Sequence, residues 1–114
     1  MNKVVLKFGP QVFTAKFGIG FIGRYLEKRG QSIDEMFKDF QSNPFAVVPE
    51  MMYNSVKEGT EGFELSQSDF EDLIDEDGGI SSKQLEVFIT AFTKSITVNS
   101  PDLGKPKAKA KAKP

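Results

Sequence analysis

The sequence predicts a mainly α-helical protein that opens with a β-hairpin. β-Branched and aromatic residues lie on both sides of a Gly9-Pro10 turn signal, which is typical of two paired strands. Beyond this segment the apolar residues recur at helical spacing instead. The chain has 114 residues, enough for one modest core and too few for two ordinary domains. We therefore expect one globular domain over residues 1–98, with the hairpin packed on four to five short helices.

The hairpin is expected at residues 3–16 and the first helix at about residues 17–29. Because a lone hairpin is only marginally stable in water, one of its faces should lie against helices. The first helix contains three glycines, Gly18, Gly20 and Gly23, each of which weakens a helix relative to alanine. We interpret them as positions of close packing against another backbone, for which the hairpin is the nearest candidate.

Two helices with clear start signals follow. Ser32 and Glu35 match a capping box, in which each side chain satisfies a free backbone N–H, and this predicts a helix at residues 33–42. Pro49 is expected only in the first turn of a helix, because proline has no N–H to donate. The third helix is therefore placed at about residues 47–58.

Serine caps also predict the last two helices. Ser66 precedes a helix expected at residues 67–76. Ser81, together with Gln84, forms a second capping box before a helix at about residues 82–97. Apolar residues flank each cap as a hydrophobic staple, namely Leu65 with Phe70 and Ile80 with Leu85.

Composition argues against catalysis and against a membrane span. The chain has no cysteine and no histidine, which excludes disulfides, thiolate nucleophiles and the commonest general base and metal ligand. We predict that the protein is not an enzyme and uses no cofactor or metal. No apolar run approaches the roughly 20 residues of a bilayer-spanning helix, and the start lacks a signal peptide pattern. We therefore expect a cytoplasmic protein without a membrane partner.

Charge is distributed unevenly. Eight carboxylates and no basic residue lie between Glu61 and Asp77, whereas every charge from Lys105 to Lys113 is a lysine. The acidic stretch has two interpretations, a recognition face or a well-solvated helix. Residues 99–114 are expected to form a flexible basic tail that either keeps the protein soluble or makes non-specific, salt-sensitive contacts with nucleic acid.

Two short motifs imitate ligand sites but lack the context that those sites need. Gly18, Gly20 and Gly23 match the letters of a dinucleotide-binding fingerprint, but no second parallel strand follows them. Asp75 and Asp77 fit the middle of a calcium-binding loop, whose first and last positions would fall on non-carboxylate residues. A turn between two helices explains the glycines of the second pattern, and the capping box explains Ser81 and Gln84.

The helical stripes are rich in phenylalanine and methionine, with 11 and 4 of these residues in the chain. Such side chains repack easily around varied apolar partners, so some of them could line a groove for a partner helix. Our candidate partner-binding residues are Met51, Met52, Phe88 and Phe92. The alternative interpretation is that all of these side chains belong to the core.

In the first half of the chain, a β-rich start leads into two segments, Lys16-Phe17-Gly18-Ile19-Gly20-Phe21-Ile22-Gly23-Arg24-Tyr25-Leu26-Glu27-Lys28 and Ile33-Asp34-Glu35-Met36. This pattern resembles that of the small tail assembly chaperones of long-tailed bacteriophages. The resemblance covers roughly residues 4–58. The remaining residues are compatible with the family without being distinctive.

This resemblance implies a chaperone that coats the tape measure protein in the host cytoplasm, helps to recruit tail tube subunits, and is absent from the mature virion. It also implies a longer form of the same protein made by programmed frameshift, and Leu103-Gly104-Lys105 could be encoded by a slippery run. Association of the chain with itself is a further expectation. The alternatives are a tail completion or connector protein of the virion and a small regulator that binds calcium or nucleic acid.

Overall fold

The computed structural model describes the backbone of residues 2–99 and the side chains of residues 2–96. An antiparallel hairpin of two strands comes first and five α-helices follow, which confirms the predicted fold class. The elements are β1 (Lys3–Phe8), β2 (Gln11–Lys16), α1 (Ile19–Arg29), α2 (Ile33–Ser42), α3 (Pro44–Gly59), α4 (Gln67–Glu76) and α5 (Lys83–Asn99), with a 3-10 turn at Gly79–Ser81. The basic tail predicted at residues 99–114 lies outside the described residues, apart from Asn99 at the end of α5.

The hairpin covers the helices, as the sequence predicts. Leu6, Phe8, Phe13 and Ala15 point inward and are buried, while β1 packs against α5 and β2 against α3. Gly9 opens the two-residue turn with a φ of 62°, a conformation that glycine adopts without the steric cost of a Cβ atom.

Side chains at the ends of two helices hold both edges of the hairpin. On the β1 edge, Lys7 N–H donates to the side-chain oxygen of Gln84 over 2.8 Å. On the β2 edge, Thr14 N–H donates to Thr60 Oγ1, which donates in turn to the Thr14 carbonyl oxygen, both over 2.9 Å. The hairpin is thus tied to the helical body by hydrogen bonds as well as by its apolar face.

The close approach between helix and hairpin occurs at Gly59, and the predicted role of the three glycines in α1 is wrong. A Cβ atom on Gly59 would collide with the Thr14 carbonyl oxygen and lie 3.0 Å from Lys16 N. Gly23 has no neighbouring atom within 4 Å of such a Cβ, and Gly20 faces only the flexible Arg24 side chain. The atoms nearest to a Cβ on Gly18 belong to the side chain of Asn2, so none of the three glycines has hairpin backbone as the nearest neighbour of an added Cβ.

Helix α3 lies at the centre of the bundle and begins earlier than the sequence predicts. It starts at Pro44, so that Pro49 stands inside the helix instead of in its first turn. Pro44 itself occupies the favoured first position, where a missing N–H costs nothing. The earlier start adds one turn before Val47, the first buried residue of the helix, and Phe45 lies in this added turn.

The capping predictions are confirmed for α2 and α4 and wrong for α5. Ser32 and Glu35 form the expected box, and Ser66 Oγ accepts a hydrogen bond from Asp69 N–H. In α5 the cap is Ser82 instead of Ser81, because Leu85 N–H donates to Ser82 Oγ over 3.1 Å. This one-residue shift leaves Ile80 exposed, whereas the predicted staple would have buried it.

Candidate partner-binding groove

The four residues predicted to bind a partner lie in the core. Met51, Met52, Phe88 and Phe92 are each 0% exposed. The rings of Phe88 and Phe92 stack on each other and meet Phe17 edge to face, with centroids 5.7 and 5.8 Å away. A partner could reach these side chains only if the fold opened. In this structure the four residues therefore belong to the core, as the alternative interpretation holds.

A different pair of apolar residues is exposed in one groove. Phe45 is 57% exposed and Ile80 is 75% exposed, and both line a cavity of about 280 Å³. We call this cavity the acidic groove, and its lining residues are Phe45, Pro49, Glu71, Ile74, Asp75, Gly79, Ile80 and Leu85. Its floor is apolar, because Ile74 and Leu85 are buried members of the core.

Local backbone geometry places the two exposed side chains. Phe45 is the second residue of α3 and extends the apolar face of that helix past its last buried turn. Ile80 sits in the 3-10 turn, after Gly78 and Gly79 have reversed the chain with φ values of 123° and 61°. Both glycines adopt a conformation that other residues rarely reach, so the turn presents Ile80 in a defined position.

The rim of the groove is negatively charged. Glu71 and Asp75 lie one turn apart on α4 and both line the groove. None of the eight carboxylates between Glu61 and Asp77 forms an ion pair with another described residue. These carboxylates are thus not engaged in ion pairs within the part of the chain that the structure describes, and a run of them favours a basic ligand.

Asp77, at the end of the same segment, has a structural role. Its Oδ2 atom accepts hydrogen bonds from Ser82 Oγ over 2.7 Å and from Gln84 N–H over 3.1 Å. The bond from Ser82, followed by that from the Gln84 backbone, lowers the pKa of the Asp77 carboxyl group. The described residues contain no cluster of three or more His, Cys, Asp or Glu side chains placed to hold a metal ion.

A second apolar cavity, of about 340 Å³, lies where α1, α2 and α5 meet and includes Ile19 and Phe37. None of its described lining residues carries a charge. Nothing in this cavity therefore indicates the chemistry of a partner. The acidic groove is the better candidate site, because it combines carboxylates at its rim with two exposed apolar side chains, and this combination specifies the chemistry of a partner.

Neither exposed groove residue was among the predicted partner contacts. The signal for Phe45 was Pro44, which is favoured at the first position of a helix and could have placed the start of α3. The signal for Ile80 was the adjacent pair Gly78-Gly79, which favours a turn.

No family model, no curated protein and no solved structure matches the chain. None of the described helices combines the length and the apolar character needed to cross a bilayer. The function proposed for the protein therefore rests on the chemistry of the groove and on the resemblance in the sequence.

Proposed function

We propose that the protein is a non-enzymatic tail assembly chaperone that binds basic, amphipathic helical segments of the tape measure protein in its acidic groove. The observation that carries the proposal is the exposed pair Phe45 and Ile80 beside carboxylates that form no ion pair with a described residue. An amphipathic helix places apolar anchors in such a groove and its charged residues along the rim. The sequence resemblance supplies the identity of the client.

The dimensions of the groove suit a client that must later be released. Two exposed apolar anchors in a cavity of about 280 Å³ provide little burial, so a single contact should be weak. The attraction between an exposed acidic rim and a basic client is also screened by salt. Many copies bound along one extended client would keep it soluble while each copy remains free to leave.

The same proposal accounts for the other expected partners. A chaperone that coats the tape measure protein in the host cytoplasm would bring tail tube subunits to it. A longer, frameshifted form of the chain and association between copies would assist this recruitment. The protein should then be absent from purified virions, whereas a tail completion or connector protein would be detected there by mass spectrometry.

Co-expression with the tape measure protein of the same phage tests the proposal. The groove variant combines Phe45→Ser with Ile80→Ser. Its matched control combines Val5→Ser with Val12→Ser, two residues that are exposed on the hairpin instead of in the groove. We expect the wild-type chain and the control to keep the tape measure protein soluble, and the groove variant to lose most of this effect.

Both variants should keep the far-ultraviolet circular dichroism of the wild type, and their unfolding midpoints should be similar to each other, since all four side chains are at least half exposed. Equal solubilisation by the groove variant and by the control would contradict the proposal. Failure of the wild-type chain to keep the client soluble would contradict it as well.

A further inference from the structure

We propose that the lysine segment Lys105–Lys113 of this chain docks in its own acidic groove and is displaced when a client binds. This inference deepens the proposed function, because it adds regulation of the same site, and its competitive consequence rests on that function. The docking itself is a property of the chain alone. Three observations support the docking: the opposite charges of the two segments, the length of the chain after α5, and the spacing of the lysines.

The charges of the two segments are complementary. The stretch from Glu61 to Asp77 carries eight carboxylates without a base, and Lys105–Lys113 carries five lysines without an acid. Because no described residue forms an ion pair with these carboxylates, the lysines have no competitor among the described residues. Lysine side chains can also lay their apolar stems over Phe45 and Ile80 while their ammonium groups reach the rim.

The segment is long enough to return to the groove. Helix α5 has 17 residues and is about 25 Å long. Its first turn lines the groove through Leu85, and its last residue is Asn99. The 15 residues after Asn99 span up to about 50 Å when extended. Residues 100–104 are therefore long enough to span most of the distance from the end of α5 back to its first turn. The lysines that follow them can then reach α4.

The spacing of the charges also matches. Lysines in the segment alternate with single alanine or proline residues, so an extended backbone separates neighbouring lysines by about 6 to 7 Å. Along α4, Glu71 and Asp75 are four residues apart, which corresponds to a rise of about 6 Å. Asp72 and Glu76 repeat the same spacing in a second row. Two successive lysines can thus face the two carboxylates of one row without a change in the helix.

Docking within one chain is favoured over capture of the segment of another chain. Exposed ion pairs are individually weak and salt-sensitive, so the segment in free solution would bind poorly. Attachment to the same chain raises its effective concentration at the groove to about the millimolar range. A client must then compete with the docked segment, and its apparent affinity falls in proportion to the open fraction.

A spin label on the full-length chain tests the docking. Since the protein has no cysteine, Ala110→Cys provides a unique site for a nitroxide label. At low salt we expect strong broadening of the amide signals of α4 and Ile80. The broadening should vanish at about 1 M salt, where the screening length is about 3 Å. It should also vanish when the five lysines of the labelled chain are replaced by glutamine.

A mixed sample separates docking within one chain from docking between chains. Labelled copies without the ¹⁵N isotope are combined with unlabelled ¹⁵N copies, and the amide signals of α4 should then stay sharp. Equal broadening in this sample would overturn docking within one chain. Absence of broadening at α4 in the labelled ¹⁵N protein at low salt would overturn docking altogether.

The competitive consequence is measured with a basic helical peptide from the tape measure protein. We expect the five-glutamine variant to bind it about fivefold more tightly than the wild type, as a docked fraction of about 0.8 requires. Broadening at α4 without any binding of the peptide would refute the proposed function and leave the docking intact. Binding of the peptide without broadening would refute the docking and leave the function intact.

Discussion

Carboxylates on two regions of this molecule are used in opposite ways. On the face formed by α1, α2 and α3, Arg29 pairs with Glu50 and lies 3.8 Å from Asp39, and Arg24 Nε donates to Glu58 over 2.8 Å. In the acidic groove, neither Glu71 nor Asp75 forms an ion pair with a described residue. We call the first region the ion-paired face. Its charges connect helices to one another, whereas those of the groove remain available to something outside the described fold.

The largest expected effect separates the groove from the core beneath it. Phe88→Ala removes a fully buried ring and should lower the free energy of unfolding by about 3 to 5 kcal/mol. Phe45→Ala removes a ring that is 57% exposed and should lower it by about 1 kcal/mol at most. Urea denaturation of both variants measures the difference. Comparable losses would mean that the groove is part of the core and not a free surface.

The next effect concerns α3, which both regions share. Gly59→Ala would drive a methyl group into the Thr14 carbonyl oxygen and should lower the free energy of unfolding by about 1 to 3 kcal/mol. Gly23→Ala is the matched control, since its methyl group meets nothing within 4 Å. It should raise stability by up to about 1 kcal/mol, because alanine favours a helix. Thermal unfolding of the pair tests the assignment, and equal midpoints would refute it.

The ion-paired face should also respond to high pH. Burial, followed by the charge of Glu50, raises the pKa of Tyr25 to about 12. Because its ordinary value is about 10, the folded state keeps the proton more firmly than the unfolded state does. The resulting stability is fully present below pH 10 and is lost as the pH rises towards 12.

At about pH 11 this loss should amount to about 1 kcal/mol relative to neutral pH. Chemical denaturation of the wild type and of Tyr25→Phe measures it, with each protein compared with itself at pH 8 and at pH 11. The variant should lack this part of the decline. An identical decline in both proteins would show that Tyr25 does not titrate differently in the fold.

The smallest expected effect tests the contrast between the two regions directly. Arg29→Met removes the two ion pairs of that arginine, its hydrogen bond to Gln31 and its contact with the Tyr25 ring, and should lower the free energy of unfolding by about 1 kcal/mol. At about 1 M salt, where the lysine segment no longer docks, the double variant Glu71→Gln with Asp75→Asn should leave the free energy of unfolding unchanged to within about 0.5 kcal/mol. Denaturation in low and high salt measures both. A larger loss in the double variant would mean that the groove carboxylates stabilise the fold.

Local signals in the sequence predicted most of the fold. The ranges predicted for α2 and α4 agree with the structure at both ends, because serine caps and stop signals act within a few residues. The error in the cap of α5 is due to contacts with residues outside the predicted capping box. Asp77 accepts a hydrogen bond from Ser82 Oγ across the turn, and Gln84 bonds to the distant strand β1 instead of completing a box.

The candidate site was harder to predict than the fold. Helical stripes show which residues are apolar, but they do not show how much of each stripe the rest of the chain covers. The hairpin and the neighbouring helices bury Phe88, Phe92, Met51 and Met52 completely. The exposed residues lie where the helical pattern ends, with Phe45 in a first turn and Ile80 in a connection. Their exposure depends on tertiary packing, which periodicity does not contain.

The central claim is that the acidic groove, and not the ion-paired face, binds the client. The most direct test is a titration of the ¹⁵N-labelled full-length chain with a basic amphipathic helical peptide from the tape measure protein. We expect progressive chemical-shift changes at Phe45, Glu71, Asp75 and Ile80, weakened by salt, with the amides of Arg24 and Arg29 nearly unchanged. Shifts centred on Arg24 and Arg29, or on the cavity beside Ile19, would contradict the claim.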